Sequence, residues 1–567
     1  MKRILAGLSL LIVADAYAAA SGDVETVEVR VNHLTERAGW RVSYHLAKPV
    51  DTLRFFNGFH GRRATTWKAG DGLRIVDDGG VESLQSQDGT RFSDATVEFA
   101  TDTTKFDRLY QLNQRFSDGS AWINTAFLYA APIRDGRQER EAQFQMHFEA
   151  ATGEAILLDG KHYDSAADWR ESFPDAIEPG TFVYFGNIRP VETPNAIALI
   201  DPGLPEHLQH AFAQHIPELF AYYAKHTGYT LPNRPEILVA YLPDGPGSYS
   251  GDTLGGIVDF NFSGREWASD DEQAQRVAFH FIAHESAHRW NGERFIPKNG
   301  DDAPWVHEGG AEAFSLLAMR DFGIVDEAGF RDAIENALNQ CADGLVGTSL
   351  QAASGKNRSG PAYTCGLVIN MLVDAELKSK GGLFAFWHAL FAEAEKSSNR
   401  YGVEQYFATI ERVAGNDRLA SLLRKIWLVK LSDPVATLRA EIARQGATVK
   451  VGNPPAAASQ LYARKAMAFL IADDCDGALN FWTESDHFTI GGLPRCKTLR
   501  DGEYHVVGLA GLPVLDNGAA IYDVIARLCA DHKPVRLELD TRKSMALTCT
   551  QLVPPRTRYL AITRWPH

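Results

Sequence analysis

Past its first residues, this chain has no apolar run near the roughly 18 residues that a membrane-spanning helix needs. It also lacks a Lys/Arg-rich stripe, since 57 basic side chains face 72 acidic ones for a formal charge of -15. The first absence excludes a transmembrane segment in the mature chain. The second makes nucleic acid and anionic membrane surfaces poor partners, because both are bound through clustered positive charge. Internal repeats and low-complexity segments are missing too, which excludes solenoids and compositional linkers. Cysteine is scarce, with 6 in 567 residues. An even number permits full pairing in an oxidising compartment, and the cheapest connectivity joins sequence neighbours: Cys341 with Cys365, Cys475 with Cys496, Cys529 with Cys549. Reduced, buried cysteines are the alternative.

What is present begins with Lys2 and Arg3, an apolar run from Ile4 to Ala14, and small residues at Ala16 and Ala18. This is the build of a secretory signal peptide over residues 1–18, and it implies an exported protein, periplasmic or secreted. From Val27 to about Phe185 apolar residues alternate, as in Val27, Val29, Val31, then Trp40, Val42, Tyr44, then Phe144, Met146, Phe148. That period predicts antiparallel sheet with one wet face, read as a β-sandwich over 19–195. Helical spacing replaces it at Pro205–Tyr229 and again beyond Asp326, where Leu383, Phe386, Trp387, Leu390 and Phe391 make a core stripe. Gly452-Asn-Pro-Pro455 breaks the helical pattern and marks a domain boundary. The last hundred or so residues alternate strand-like and helical segments. The fold class is multidomain α+β, and nothing in the sequence specifies an oligomeric state.

The chemistry concentrates in two segments. Phe279-His280-Phe281-Ile282-Ala283-His284-Glu285-Ser286-Ala287-His288 contains HExxH. Residues four apart on a helix leave the same face, so His284 and His288 can meet one ion, while Glu285 flanks it as a general base. The second segment, Trp305-Val306-His307-Glu308-Gly309-Gly310-Ala311-Glu312, follows shortly and reads as the start of another helix. Glu308 can close a His2Glu zinc site with a fourth position left for water. Glu312, one turn on, can accept the free ring N–H of a ligating histidine. His307 is the alternative third ligand, and His280 reads as a packed or hydrogen-bonded histidine. A helix beginning near Ser269-Asp270-Asp271-Glu272 and ending about Asn291 would carry the first motif.

These residues resemble the gluzincin metallopeptidases, specifically the aminopeptidase N and glycyl aminopeptidase families. Trp290 and the run Trp305–Phe314 follow the W-x-N-E-G-x-A-E-x-F helix of the first family, with His307 where asparagine is usual. His288, Trp290, Asn291, Arg294 and Pro297 follow the H-x-W-N-x-x-R-x-x-P of the second. Ala362-Tyr363-Thr364-Cys365-Gly366 resembles their Y-x-K-G segment, with Cys365 at the lysine, and implies that Tyr363 stabilises the tetrahedral intermediate. A Cys341–Cys365 bond would then brace the loop presenting Tyr363. In place of G-A-M-E-N the chain offers Gly255-Gly256-Ile257-Val258-Asp259, so Gly255, Gly256 and Asp259 become the substrate-binding candidates. The resemblance implies one Zn2+ per chain, a peptide substrate, a thermolysin-like catalytic domain over 196–330, a helical domain over 331–450 and a small PDZ-like domain over 455–567. The activity it implies is peptide hydrolysis, as an aminopeptidase; an endopeptidase and a catalytically silent peptide-binding protein are the alternatives.

Overall fold

The computed structural model describes residues 25–56, 61–101, 112–138, 142–173, 180–245, 248–254, 257–269, 271–298, 303–354, 360–477, 481–483, 486–493, 495–500, 502–550, 553 and 558–566. The expected signal peptide lies outside them, as do Gly255 and Gly256. The chain is a multidomain α+β protein, rich in sheet in its first half and in helix after it. It divides into two compact units, Met1–Gln209 with Arg234–Ser269, and His210–Asn233 with Asp270–His567.

In the first unit, the alternation of Val27, Val29 and Val31 becomes the strand Glu25–Leu34, with all three valines fully buried. Its six-stranded sheet runs Ala166–Phe173, Ala142–Glu149, Glu25–Leu34, Gly39–Val50, Phe92–Ala100, Trp67–Ala69. Trp40, Tyr44, Phe144 and Met146 join the same core. The antiparallel expectation fails at one pair, because Glu25–Leu34 and Ala142–Glu149 run parallel, with Val27 opposite Phe144 and Val29 opposite Met146. Alternation reports which side chains face the core and is blind to strand direction, which the long intervening connection leaves free. Two five-stranded sheets complete the region. A further sheet places Ile197–Ile200, Glu236–Leu242 and Ile257–Ser263 side by side in parallel, with Ser248–Leu254 antiparallel at the edge. Glu236–Leu242 and Ile257–Ser263 are buried at every position, as parallel strands covered on both faces are.

The second unit is built on helices α1 (Glu206–Thr227, from His210 on), α2 (Glu272–His288), α3 (Pro304–Asp321), α4 (Glu327–Gly344), α5 (Gly360–Glu376), α6 (Gly382–Glu395) and α7 (Val403–Ala414). Asp271 starts α2 by accepting the amide of Ala274 at 2.8 Å, satisfying one of the first-turn donors. Pro304 opens α3, where its missing N–H costs nothing. Cys341–Cys365 joins α4 to α5, and Cys475–Cys496 and Cys529–Cys549 form as well, so all three neighbour pairs are made. Tyr363 does not sit on a braced loop. It lies in the first turn of α5, which begins at Gly360, since Pro361 there sets a helical φ and starts the helix early.

Beyond Thr448–Gly452 the chain forms the helix Ala456–Asp474, a sheet that includes Glu503–Leu509, Pro534–Leu539 and Ser544–Thr548, and the helix Gly518–Ala530 over its own core. Buried Glu335 of α4 accepts from Tyr559 Oη and the Ile562 amide, both at 2.5 Å, which ties this last region to the bundle. No described helix is long and apolar enough to cross a membrane.

Candidate metal centre

On α2, His280, His284 and His288 form a stripe one turn apart, and on α3 Glu308 and Glu312 form another. The stripes face each other. His280 Nε2 is 3.1 Å from Glu312 Oε2, His284 Nδ1 is 3.1 Å from Glu312 Oε1, and Glu308 Oε2 is 3.3 Å from His284 Nε2 and 3.4 Å from His288 Nε2. The Glu312 contact with His284 is oblique to the ring N–H, an ion-pair approach more than an aligned hydrogen bond.

Glu312 beside His284 Nδ1 keeps the proton on that nitrogen and leaves Nε2 with a bare lone pair. Asn291 Oδ1, 3.1 Å from His288 Nδ1, does the same for His288. Its amide nitrogen is committed to the His307 carbonyl at 2.8 Å, so the oxygen must be the end facing the ring. Two lone pairs and a carboxylate oxygen therefore converge, with the imidazole nitrogens 3.2 Å apart. Three such acceptors repel unless a cation lies among them. Donors about 2.0–2.1 Å from one tetrahedral zinc sit about 3.3 Å from each other. The three separations of 3.2, 3.3 and 3.4 Å match those edges.

The electrostatics agree with that requirement. Burial alone would raise the Glu308 carboxyl, yet contacts with His284, His288 and His307 hold it far below the ordinary range. Glu312 is likewise held low against burial, by His280 and His284. Burial disfavours charge on His284, but the Glu308 and Glu312 carboxylates prevail and push it up to about 10, so without a metal a proton on Nε2 supplies the positive charge that the triangle demands, and a metal would displace it. The centre collects positive charge on whatever can carry it.

Glu285 is half-buried on α2, and its charge is felt by both His284 and Tyr363. The Tyr363 ring stacks 5.8 Å from that of His284 at 23°. Burial and then the neighbouring charge of Glu308 raise the phenol, so it stays a donor at neutral pH. The expected residues His284, Glu285, His288, Glu308, Glu312 and Tyr363 are thus brought together. Asp259 belongs to the first unit. It is fully buried in Ile257–Ser263 and accepts from Asn261 Nδ2.

No family model matches the chain, and no curated protein matches it. A solved aminopeptidase N family protein from Idiomarina loihiensis superimposes with a TM-score of 0.59 at 12% identity, over 95% of this chain and 98% of that one. The two chains share a fold. Yeast LTA4 hydrolase superimposes with a TM-score of 0.43 at 13% identity, over 78% of this chain and 72% of that one, too loosely to carry a conclusion.

Asn291, Gly309 and Gly366 shape this centre, although the sequence assigned them no role in it. Asn291 was visible only as a motif letter; it sits under His288 because residues Arg289–Arg294 form a π-helical turn, closed by Phe295 N–H to Trp290 O at 3.0 Å. Gly309 and Gly366 form the crossing of α3 and α5, and a Cβ on Gly309 would lie 2.2 Å from Gly366 Cα. The glycine-pair spacing around Glu308 was the available signal for a close helix approach. If a metal is held by this triangle, Glu312→Ala is expected to weaken its binding about 10–100-fold, since ligand orientation is worth that much. Competition with a metallochromic chelator measures it, and unchanged affinity would remove Glu312 from this role.

Proposed function

We propose that the chain is an exported, zinc-dependent peptidase acting by general-base hydrolysis. The observation that carries the reading is the triangle of His284 Nε2, His288 Nε2 and Glu308 Oε2, three acceptors at tetrahedral edge lengths. The fold shared with an aminopeptidase N family protein supports it. Zinc held there supplies Lewis-acid activation of water and of the scissile carbonyl. Glu285 takes a proton from the attacking water and passes it to the departing amine. Tyr363 Oη donates to the developing oxyanion, a task for which its raised pKa keeps it protonated. Glu312 and Asn291 hold the two imidazoles in the tautomer that presents Nε2. Three disulfides support an oxidising compartment. The C-terminal region, with Glu503–Leu509, the helix Gly518–Ala530 and Pro534–Leu539 in order, supports a PDZ-like module.

Aminopeptidase action needs a group that holds a free terminal amine. Asp259 is the candidate from the sequence, but its complete burial favours a second reading, an endopeptidase on the same scaffold. Incubation of the purified full chain with matched free and N-acetylated peptides separates the two. The expected result is cleavage that a strong chelator abolishes and zinc restores. Selective cleavage of the free peptides supports the aminopeptidase, and equal cleavage of both sets supports the endopeptidase. No cleavage by a stoichiometrically zinc-loaded chain would end the peptidase proposal.

A further inference from the structure

A carboxylate can bind a metal through one oxygen or two, and what touches its second oxygen decides which. Glu308 Oε2 is the oxygen turned toward His284 and His288, while Oε1 points away, 3.3 Å from His307 Nε2. His307 adds no atom to the group of converging ligands among the described residues, so its ring lies beside that triangle and not in it. It is nonetheless held in place. Its carbonyl accepts from Asn291 Nδ2 at 2.8 Å, and Asn291, itself fully buried, also faces His288 Nδ1. The ring of His307 lies 5.9 Å from that of His288. Its Nδ1 is buried with no partner among the described residues, so the one polar contact made by the ring is the one to Glu308. That 3.3 Å approach, an ion-pair distance, leaves Nε2 as the ring nitrogen from which a proton can face Oε1.

We propose that His307 is a positioning residue which occupies Glu308 Oε1 and so restricts Glu308 to binding through Oε2 alone. The inference rests on the zinc reading above. Its consequence is coordination space, because a carboxylate bound through both oxygens takes up a position that water and the substrate carbonyl must share. His307 also draws charge from the carboxylate, which leaves the metal a stronger Lewis acid.

The test uses the metal-free full chain titrated with Co2+ alone, read by visible absorption and by X-ray absorption at the cobalt edge. The parent chain is expected to give the intense bands of a four-coordinate site. His307→Phe, which keeps a ring and removes the donor, should lose band intensity and gain about one oxygen neighbour as Glu308 closes onto the ion. His307→Gln, which keeps an N–H donor, should restore the parent spectrum; a purely structural role for the ring would not be rescued in this way. His307→Met repeats the comparison if the Phe variant does not fold. Identical spectra for the parent and a folded donor-free variant at full occupancy would overturn the proposal while leaving the zinc reading intact. Failure of the parent chain to take up Co2+ would overturn both.

Discussion

Glu285→Gln is expected to hydrolyse peptides about 100- to 10,000-fold more slowly than the parent chain while holding one zinc with unchanged affinity. The amide fills the same space as the carboxylate but cannot take a proton from water. The proposed ligand atoms belong to His284, His288 and Glu308, so the substitution leaves that triangle untouched. Single-turnover rates and elemental analysis on the same sample check both halves. A variant that retains a tenth of parental activity would assign the base elsewhere, and a variant that loses its metal would show that Glu285 does more than accept protons. The comparison is informative because Glu308, less than 4 Å from both imidazole nitrogens, is expected to lose metal and activity together when changed.

Gly366→Ala should have the second-largest effect, although residue 366 bears no functional group. A Cβ there would lie 2.5 Å from both Gly309 Cα and Trp305 O, and all the nearest atoms belong to the main chain of α3, so no rotamer change makes room. The helices must separate, at a cost of about 1–3 kcal/mol for an overpacked core position. The Gly366 carbonyl also accepts from Asn370 Nδ2 at 2.9 Å, and the Asn370 oxygen receives Trp387 Nε1 of α6 and Tyr406 Oη of α7, which leaves α5 little freedom to shift alone. Because α3 carries Glu308 and α5 carries Tyr363, separation moves the phenol away from the proposed metal site. A displacement near 1 Å is expected to lower kcat about a hundredfold. All three proposed ligands, His284, His288 and Glu308, lie on α2 and α3, so zinc content should be retained. Thermal unfolding, kcat and metal content distinguish this outcome, and parental values for all three would show that the crossing tolerates a methyl group.

The sequence alone determined what depends on local periodicity. The spacing of His284 and His288 puts both rings on one helix face wherever that helix lies, and Glu308 and Glu312 follow the same rule. The alternation of Val27, Val29 and Val31 likewise fixed the buried side of their strand, and the cysteine neighbours paired in sequence order. Strand direction was beyond that kind of signal, and so was the helical start that moved Tyr363 from a loop into α5. Only the tertiary structure decided which oxygen of Glu308 faces the imidazoles, that Asn291 reaches both His288 and the His307 carbonyl, and that Gly309 and Gly366 let two backbones touch. The reason is physical. A helical repeat fixes directions within one element to a few tens of degrees, whereas a metal centre needs separations between elements set to a fraction of an ångström, and those arise from packing among residues far apart in the chain.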